Sequence, residues 1–234
     1  MDLSNSKCLV ETPNFSGVPN LERLDLSGCT DLRFVHPSMG RLENLVFLSF
    51  RNCNNLISIK IGIKSCLGDN NISLRVLHFS GCTKLENIPD FTGTTNLEYL
   101  DFDGCTSLSS VHESIGALAK LTFLSFRDCK NLVSIPNNIN ALTSLQTLDL
   151  WGCLKLKFIP LGKYFSPKFF PLVQAFSPLS SLSKSLVSLD MGFCNLVKVP
   201  DAIGGLNCLE RLNLQGNNFV SIPYGSLVLL DRLA

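Results

Sequence analysis

Residues 121–140 read LTFLSFRDCKNLVSIPNNIN, and this stretch decides the fold. Its apolar residues lie three, two, three, three and three positions apart, at Leu121, Leu124, Phe126, Cys129, Leu132 and Ile135. That spacing fits neither the 3.6-residue period of an amphipathic helix nor the strict alternation of a half-buried strand. It predicts a short strand that ends in a turn, with Leu124 and Phe126 pointing inward. Phe123 and Arg127 then point outward, because successive strand residues face opposite sides.

The same pattern recurs along the whole chain. It matches L-x-x-L-x-L-x-x-C-x-x-L-x-x-I-P, which is one turn of a leucine-rich-repeat solenoid. Complete copies begin at eight leucines: Leu21, Leu45, Leu74, Leu97, Leu121, Leu145, Leu186 and Leu209. We therefore predict an α/β leucine-rich-repeat solenoid, or horseshoe, with short parallel strands on its concave face. Its return segments are expected to be mostly irregular or 3-10 helical.

We expect one leucine-rich-repeat domain over residues 1–234, with a partial repeat at 1–20 and eight repeats from residue 21. Two return segments are lengthened, by insertions at 60–73 and 161–185. The second insertion is rich in aromatic residues and prolines, which predicts a loop rather than a continuous helix. Terminal repeats of solenoids usually carry polar caps, and neither end has one. The sequence therefore favours a fragment of a longer protein.

Seven of the ten cysteines share one slot of the repeat, at the turn that follows the strand. They are Cys29, Cys53, Cys82, Cys105, Cys129, Cys153 and Cys194. Asn217 takes this slot in the last unit, which predicts a small buried side chain near backbone polar groups. Adjacent strands, about 4.8 Å apart, are close enough for disulfides, but stacked side chains point the same way. The slot favours reduced thiols and a cytosolic or nuclear location.

Charge, hydropathy and histidine content argue against several classes of function. The formal net charge is +1, so we expect no nucleic-acid partner. The chain has no apolar run long enough for a membrane segment and no export signal, and we expect a soluble protein. The three histidines, His36, His78 and His112, make neither a catalytic set nor a metal site, and we expect them at the surface or in turns. We expect no enzyme activity and no cofactor.

Five phrases of the sequence carry a resemblance to one protein family. They are LDLSGCTDL at 24–32, LDFDGCTSL at 100–108, SIPNNINALTSLQTLDL at 134–150, LDLWGC at 148–153 and LERLNLQGNNFVSIP at 209–223. These phrases resemble the leucine-rich-repeat region of plant intracellular immune receptors that carry a TIR domain and a nucleotide-binding ATPase. The resemblance covers essentially the whole chain. It implies a module that senses pathogen products, directly or through host proteins, and restrains the ATPase module.

Other functions remain open at this point. The chain has no P-loop, so nucleotide hydrolysis is not assigned to it. One alternative is an extracellular receptor ectodomain or inhibitor, which the glycosylation sequons at 14–16 and 71–73 would suit. Against it, the L-x-G-x-I-P phrase typical of such ectodomains is absent. Another alternative, a substrate adaptor for a ubiquitin ligase, requires an adaptor-binding helical segment before the repeats.

The outward strand residues form the candidate binding surface, because stacking of the repeats lines them into columns on the concave face. Aromatic residues and arginine are enriched at interface hot spots. We predict a partner-binding patch made of Phe47, Arg51, Tyr99, Asp101, Asp103, Phe123, Arg127 and Trp151. The expected partners are a pathogen effector or host protein and the nucleotide-binding domain upstream in the same receptor. In the alternative interpretation, these side chains only pack on one another along the sheet.

Overall fold

The computed structural model describes residues 1–59, 73–157 and 181–220. Within them, three-residue strands form an eight-stranded parallel sheet whose order follows the sequence. The strands are β1 (Arg23–Asp25), β2 (Phe47–Ser49), β3 (Val76–His78), β4 (Tyr99–Asp101), β5 (Phe123–Ser125), β6 (Thr147–Asp149), β7 (Ser188–Asp190) and β8 (Arg211–Asn213). The predicted leucine-rich-repeat solenoid is confirmed. Of the expected insertions, residues 60–72 and 161–180 lie outside the described residues.

The return segments contain short 3-10 helices. In the described part of the chain these are η1 (Pro37–Arg41), η2 (Glu113–Ala117), η3 (Asn137–Ala141), η4 (Ser181–Lys184) and η5 (Asp201–Gly205). His36 and His112 are the N-caps of η1 and η2, where Nδ1 accepts a hydrogen bond from the backbone N–H of Ser38 and Ser114 respectively. These two histidines therefore have the turn role that the sequence predicts. Across the described ranges, no helix is long and apolar enough to cross a membrane.

The inward residues of the strands build one continuous core. The middle leucine of each strand from β1 to β7 is at most 2% exposed. Two positions further along, Phe50, Phe79, Phe102 and Phe126 stack on one another, with centroid distances of 5.5, 5.2 and 5.4 Å. Their ring planes lie within 8° of parallel. Because each ring fills the space between two repeats, this stack stabilises the array along its length.

The slot after each strand joins one repeat to the previous one. Cys129 Sγ donates to the carbonyl oxygen of Phe102 at 3.2 Å, and the other slot cysteines make the equivalent bond. Burial raises the pKa of all seven thiols, which keeps them protonated as donors. Asn217 donates to Met191 O at 2.8 Å and accepts from the Leu196 N–H at 2.9 Å. The predicted contact with backbone polar groups is confirmed.

Candidate protein-binding face

The strand register aligns the outward residues in the predicted columns. Arg23 pairs with Phe47, Phe47 with Val76, Val76 with Tyr99, and Tyr99 with Phe123. These side chains point away from the leucine core, and all five remain at least partly accessible to solvent. The first column therefore runs without interruption across β1 to β5. We call the outward side of the eight strands the concave face.

A row of stacked rings occupies one half of this face. The Arg23 guanidinium lies 3.5 Å from the centroid of the Phe47 ring, which in turn lies 5.6 Å from the His78 ring. His78 lies 4.9 Å from the ring of Tyr99, and Tyr99 stacks on Phe123 at 4.3 Å with planes 2° apart. We call these five residues the ring stack. Its members pack laterally, so the alternative of sheet packing describes part of what they do.

The central column, formed by the last residue of each strand, departs from the sequence expectation, because four of its residues are buried although they point outward. Asp101 is only 4% exposed, and His78 is 7% exposed rather than at the surface. Ser49 and Ser125 are each 1% exposed. Longer neighbours cover two of these residues: the His78 ring lies 5.6 Å from the Phe47 ring and 4.9 Å from the Tyr99 ring, and the Arg51 guanidinium lies 3.5 Å from Asp101. Asp101, predicted as a contact residue, therefore lies beneath the surface and supports its neighbours.

Asp101 is held by three neighbours. His78 Nδ1 lies 3.3 Å from its Oδ2, Arg51 NH2 lies 3.5 Å from the same oxygen, and the Asp103 N–H donates to Oδ1 at 3.0 Å. Burial alone would raise the pKa of the Asp101 carboxyl, but the hydrogen bonds from His78 and Asp103, with the charge of Arg51, lower it below its usual value. Asp101 is thus an ionised anchor for Arg51, whose side chain remains 47% exposed.

The pKa of the Asp103 carboxyl is shifted in the opposite direction to that of Asp101. Its carboxylate accepts a hydrogen bond from the Ser125 hydroxyl on the next strand. Burial raises the pKa of Asp103 to about 6, and the nearby carboxylates of Asp101 and Asp149 act in the same direction. The hydrogen bond from Ser125 opposes this shift without cancelling it. Asp103 therefore holds its proton more tightly than an exposed aspartate does.

Arg127 joins the next three strands. Its Nε donates to Asp149 Oδ2 at 2.9 Å, and its NH2 lies 3.5 Å from Asp190 Oδ2. The guanidinium also lies 5.0 Å from the centroid of the Trp151 ring, within the range of a cation–π contact. Burial would lower the pKa of Arg127, but Asp149, Asp190 and Asp103 raise it. One guanidinium therefore pairs with two carboxylates and also feels the charge of a third.

The indole of Trp151 lies against Gly192 of the next repeat. A Cβ built on Gly192 would meet Trp151 Cδ1 at 2.8 Å, so only glycine leaves room for the indole there. On the far side, the ring of Phe193 lies 5.3 Å from the indole centroid at a tilt of 59°. Phe193 is 39% exposed. We call Arg127, Asp149, Trp151, Asp190 and Phe193 the tryptophan cluster.

The predicted patch is thus two adjoining groups. Phe47, Tyr99 and Phe123 belong to the ring stack, whereas Arg127 and Trp151 belong to the tryptophan cluster. Arg51, Asp101 and Asp103 lie beside the ring stack, where Arg51 and His78 both contact Asp101. His78, Asp190 and Phe193 were not part of the predicted patch. His78 and Asp190 belong to the central column next to Tyr99 and Trp151, and this adjacency could have placed them in the patch. Phe193 could have been found as a bulky residue at a position where other repeats have glycine, asparagine or aspartate.

One polar group off this face invites comparison with a hydrolase triad, but its geometry does not fit one. His112 Nδ1 lies 2.8 Å from Ser114 Oγ and 3.9 Å from Asp90 Oδ1. A triad needs the serine and the carboxylate on opposite nitrogens of the imidazole. Here both approach the same nitrogen, and that nitrogen also accepts the N–H of Ser114. The group is a helix cap. In the described ranges, no cluster of three or more candidate metal ligands occurs.

Comparison with solved structures gives the class of protein. The leucine-rich-repeat domain of the type III effector XopL superposes with a TM-score of 0.68, covering 97% of this chain and 70% of that one at 21% identity. At that identity the likeness concerns the fold alone. No protein-family model matches the sequence. Fold and strand register together define a leucine-rich-repeat protein.

Curated relatives then give the family. TMV resistance protein N of Nicotiana glutinosa is 30% identical over 95% of this chain, and the match spans 22% of that relative's length. Disease resistance protein RPP2A of Arabidopsis thaliana is 35% identical over 41% of this chain and 7% of its own length. A segment of disease resistance protein RPV1 of Vitis rotundifolia is 51% identical over 18% of this chain and 3% of the relative. The chain belongs with the leucine-rich-repeat regions of plant TIR-type disease resistance proteins.

Proposed function

We propose that this chain is the interaction and sensor module of a plant intracellular immune receptor, and that its concave face binds a protein. The observation that carries the proposal is the ring stack beside Arg51 and Arg127. This face presents aromatic and guanidinium groups together, and these are the residue types that dominate interface hot spots. Regular repeats stacked in one sheet hold the groups at fixed spacing, which limits the entropy lost on binding.

Two kinds of protein suit such a face. One is the sensed partner, a pathogen effector or a host protein that the receptor monitors. The other is the nucleotide-binding domain upstream in the same receptor, which the module restrains in the absence of a signal. Both would use aromatic anchors surrounded by polar groups. Since this chain spans about a fifth of the length of TMV resistance protein N, these roles are part of the proposal.

A reducing compartment, the cytosol or nucleus, suits the slot cysteines. Each slot thiol uses its proton in a bond to the preceding repeat, and a disulfide would remove that donor. A fluorescent fusion of the full-length receptor, imaged in leaf cells, checks this location. Fluorescence confined to the cell wall space would contradict it.

The interaction is tested by co-precipitating this chain with the nucleotide-binding domain encoded by the same gene. Arg51→Ala and Arg127→Ala should each reduce recovery of that domain, because they remove charged groups from the centre of the face. Lys120→Ala is a matched control, because Lys120 lies away from the concave face. There its Nζ donates a hydrogen bond to Asn96 Oδ1 at 2.7 Å. Equal recovery with all three variants would contradict restraint through this face.

A further inference from the structure

Phe193 is held in a conformation that its residue type disfavours. The residue before the slot has a positive φ in all of the described repeats, and elsewhere it is glycine, asparagine or aspartate. Phe193 adopts φ 54° at this position. A left-handed backbone is uncommon for a residue with a bulky side chain, because its Cβ crowds the following carbonyl oxygen. Such outliers concentrate where a function requires them.

Phe193 adds an exposed aromatic ring to the other residues of the tryptophan cluster. Gly192 leaves room for the indole of Trp151, and the Phe193 ring lies 5.3 Å from that indole. Phe193 is 39% exposed, so its ring is much less covered than the rings of the core. The ring of Trp151 is also less covered by the described residues than the core rings are. The cluster therefore offers two aromatic surfaces that meet at a tilt of 59°.

The charge around these rings is unbalanced. Arg127 is the guanidinium within ion-pair distance of Asp149 and Asp190, at 2.9 and 3.5 Å. Asp103 adds a third carboxylate to the field at Arg127, so three carboxylates act on this one guanidinium. Burial raises the pKa of Asp149, and the charge of Asp190 acts in the same direction although Arg127 opposes it. Asp190 Oδ1 accepts from the Gly192 N–H at 2.9 Å and Oδ2 from Asn213 Nδ2 at 3.1 Å. The side chain still keeps 21% of its surface accessible, so a further cation can approach its exposed edge.

From this geometry we infer that the tryptophan cluster is a binding site for an arginine side chain of a protein partner, seated against Phe193 and Trp151 with its charge directed at Asp190. The inference rests on the proposed function and deepens it, because it gives the chemistry of the partner's contact residue. Arginine fits better than lysine, since a planar guanidinium stacks on aromatic rings and also forms paired hydrogen bonds with a carboxylate. An aliphatic side chain would leave the excess carboxylate charge unneutralised.

The chain provides its own probe, because Trp151 is its single tryptophan. Emission from Trp151 is followed while the whole chain is titrated with the peptide acetyl-Gly-Arg-Gly-Arg-Gly-amide. A second titration uses the same peptide with citrulline in place of arginine, which keeps the shape and removes the charge. We expect saturable change in emission with the arginine peptide and binding at least about fivefold weaker with the citrulline peptide. Equal responses to the two peptides overturn the inference.

Two variants locate the site. Phe193→Asn keeps a residue that tolerates the left-handed conformation, as Asn52 does at φ 57°, so the fold is retained. Asp190→Asn preserves the shape of the side chain and removes its charge. Each should weaken binding of the arginine peptide about fivefold or more. Phe34→Asn is the matched control, because Phe34 is an exposed phenylalanine, 56% accessible, in a return segment. Wild-type affinity in Phe193→Asn and Asp190→Asn overturns the inference.

The result separates this inference from the proposed function. If the arginine peptide binds the tryptophan cluster and truncation of the ring stack leaves receptor signalling unchanged, the arginine site stands and the proposed role of the whole face fails. If ring-stack variants abolish signalling and the arginine peptide does not change the emission of Trp151, the face is a recognition surface without an arginine site.

Discussion

The ring of Phe193 lies on the backbone of Gly216, so close that a Cβ added to that glycine would be 2.5 Å from Phe193 Cδ1. The same relationship occurs between Asn52 and Gly81, where an added Cβ would be 2.1 Å from Asn52 Oδ1. A side chain in the left-handed position before the slot therefore crosses the next repeat. Such a side chain requires glycine at the position of the next repeat that it crosses.

This relationship predicts that Gly216→Ala destabilises the chain by about 1–3 kcal/mol. The new methyl group meets the Phe193 ring, and the backbone at Gly216 has φ 67°, which alanine disfavours. Denaturant unfolding measures the free energy. Gly17→Ala is the control, since nothing lies within 4 Å of an added Cβ there. Adding Phe193→Gly should recover part of the loss; equal stability of the two alanine variants would contradict the account.

The shared core predicts a larger effect. Leu124→Ala or Leu148→Ala should each cost about 2–5 kcal/mol, because both leucines are 0% exposed between stacked repeats. Val133→Ala, at a residue that is 37% exposed, should change stability by less than about 0.5 kcal/mol. Thermal and denaturant melts of the three variants check this. If the leucine variants melt like the wild type, the assigned register of the repeats is wrong.

The slot cysteines predict a distinctive pattern of thiol reactivity. In the native chain a thiol reagent should modify Cys8 and Cys208, which are exposed, and leave the seven slot cysteines unmodified. Burial and the raised pKa both suppress the reactive thiolate in the slots. Peptide mapping by mass spectrometry identifies the modified sites. Unfolding without reductant should then expose close to ten thiols, and finding four or fewer would indicate disulfides.

Repeat spacing was enough to predict the strands, because one leucine in every repeat must enter the same core. Leu124 and Phe126 occupy the inward positions that their spacing requires, and the slot contacts follow from Asn217 replacing a cysteine. How deeply each outward side chain is buried in the concave face could not be predicted. Whether Asp101 is exposed depends on how its longer neighbours lean over it, and sequence alone carries no signal for that. Phe193 was detectable in principle, as the bulky residue in a position that other repeats give to small or polar residues.

The raised pKa of Asp103 predicts that the stability difference between Asp103→Asn and the wild type depends on pH. Burial raises its pKa to about 6 from 3.8, so the folded state binds the proton more tightly than the unfolded state does. The contribution of Asp103 to stability therefore falls as pH rises from about 4 to about 6 and stays low above that. Asp103→Asn should be more stable than the wild type at pH 7 by about 1 kcal/mol, a figure reduced from the full shift because solvent screens a partly exposed group.

The difference between Asp103→Asn and the wild type should shrink as the pH falls from 7 toward 4, because the wild-type carboxyl becomes protonated in the folded state over this range. Melting temperatures recorded from pH 4 to pH 7.5 measure it. A constant difference across this pH range would contradict the assigned environment of Asp103.

Recognition through the concave face is tested most directly by truncating two rings of the stack in the full-length receptor. Tyr99→Ala and Phe123→Ala should each cost the isolated chain only about 1 kcal/mol, because the rings pack on each other outside the leucine core. Cell death in challenged leaves is measured beside the melting temperature of each variant, with Phe34→Ala as the control. The account predicts a lost response, or a response without challenge, in the two ring variants alone. Normal signalling by variants that melt several degrees lower would show that the rings serve only to pack the sheet.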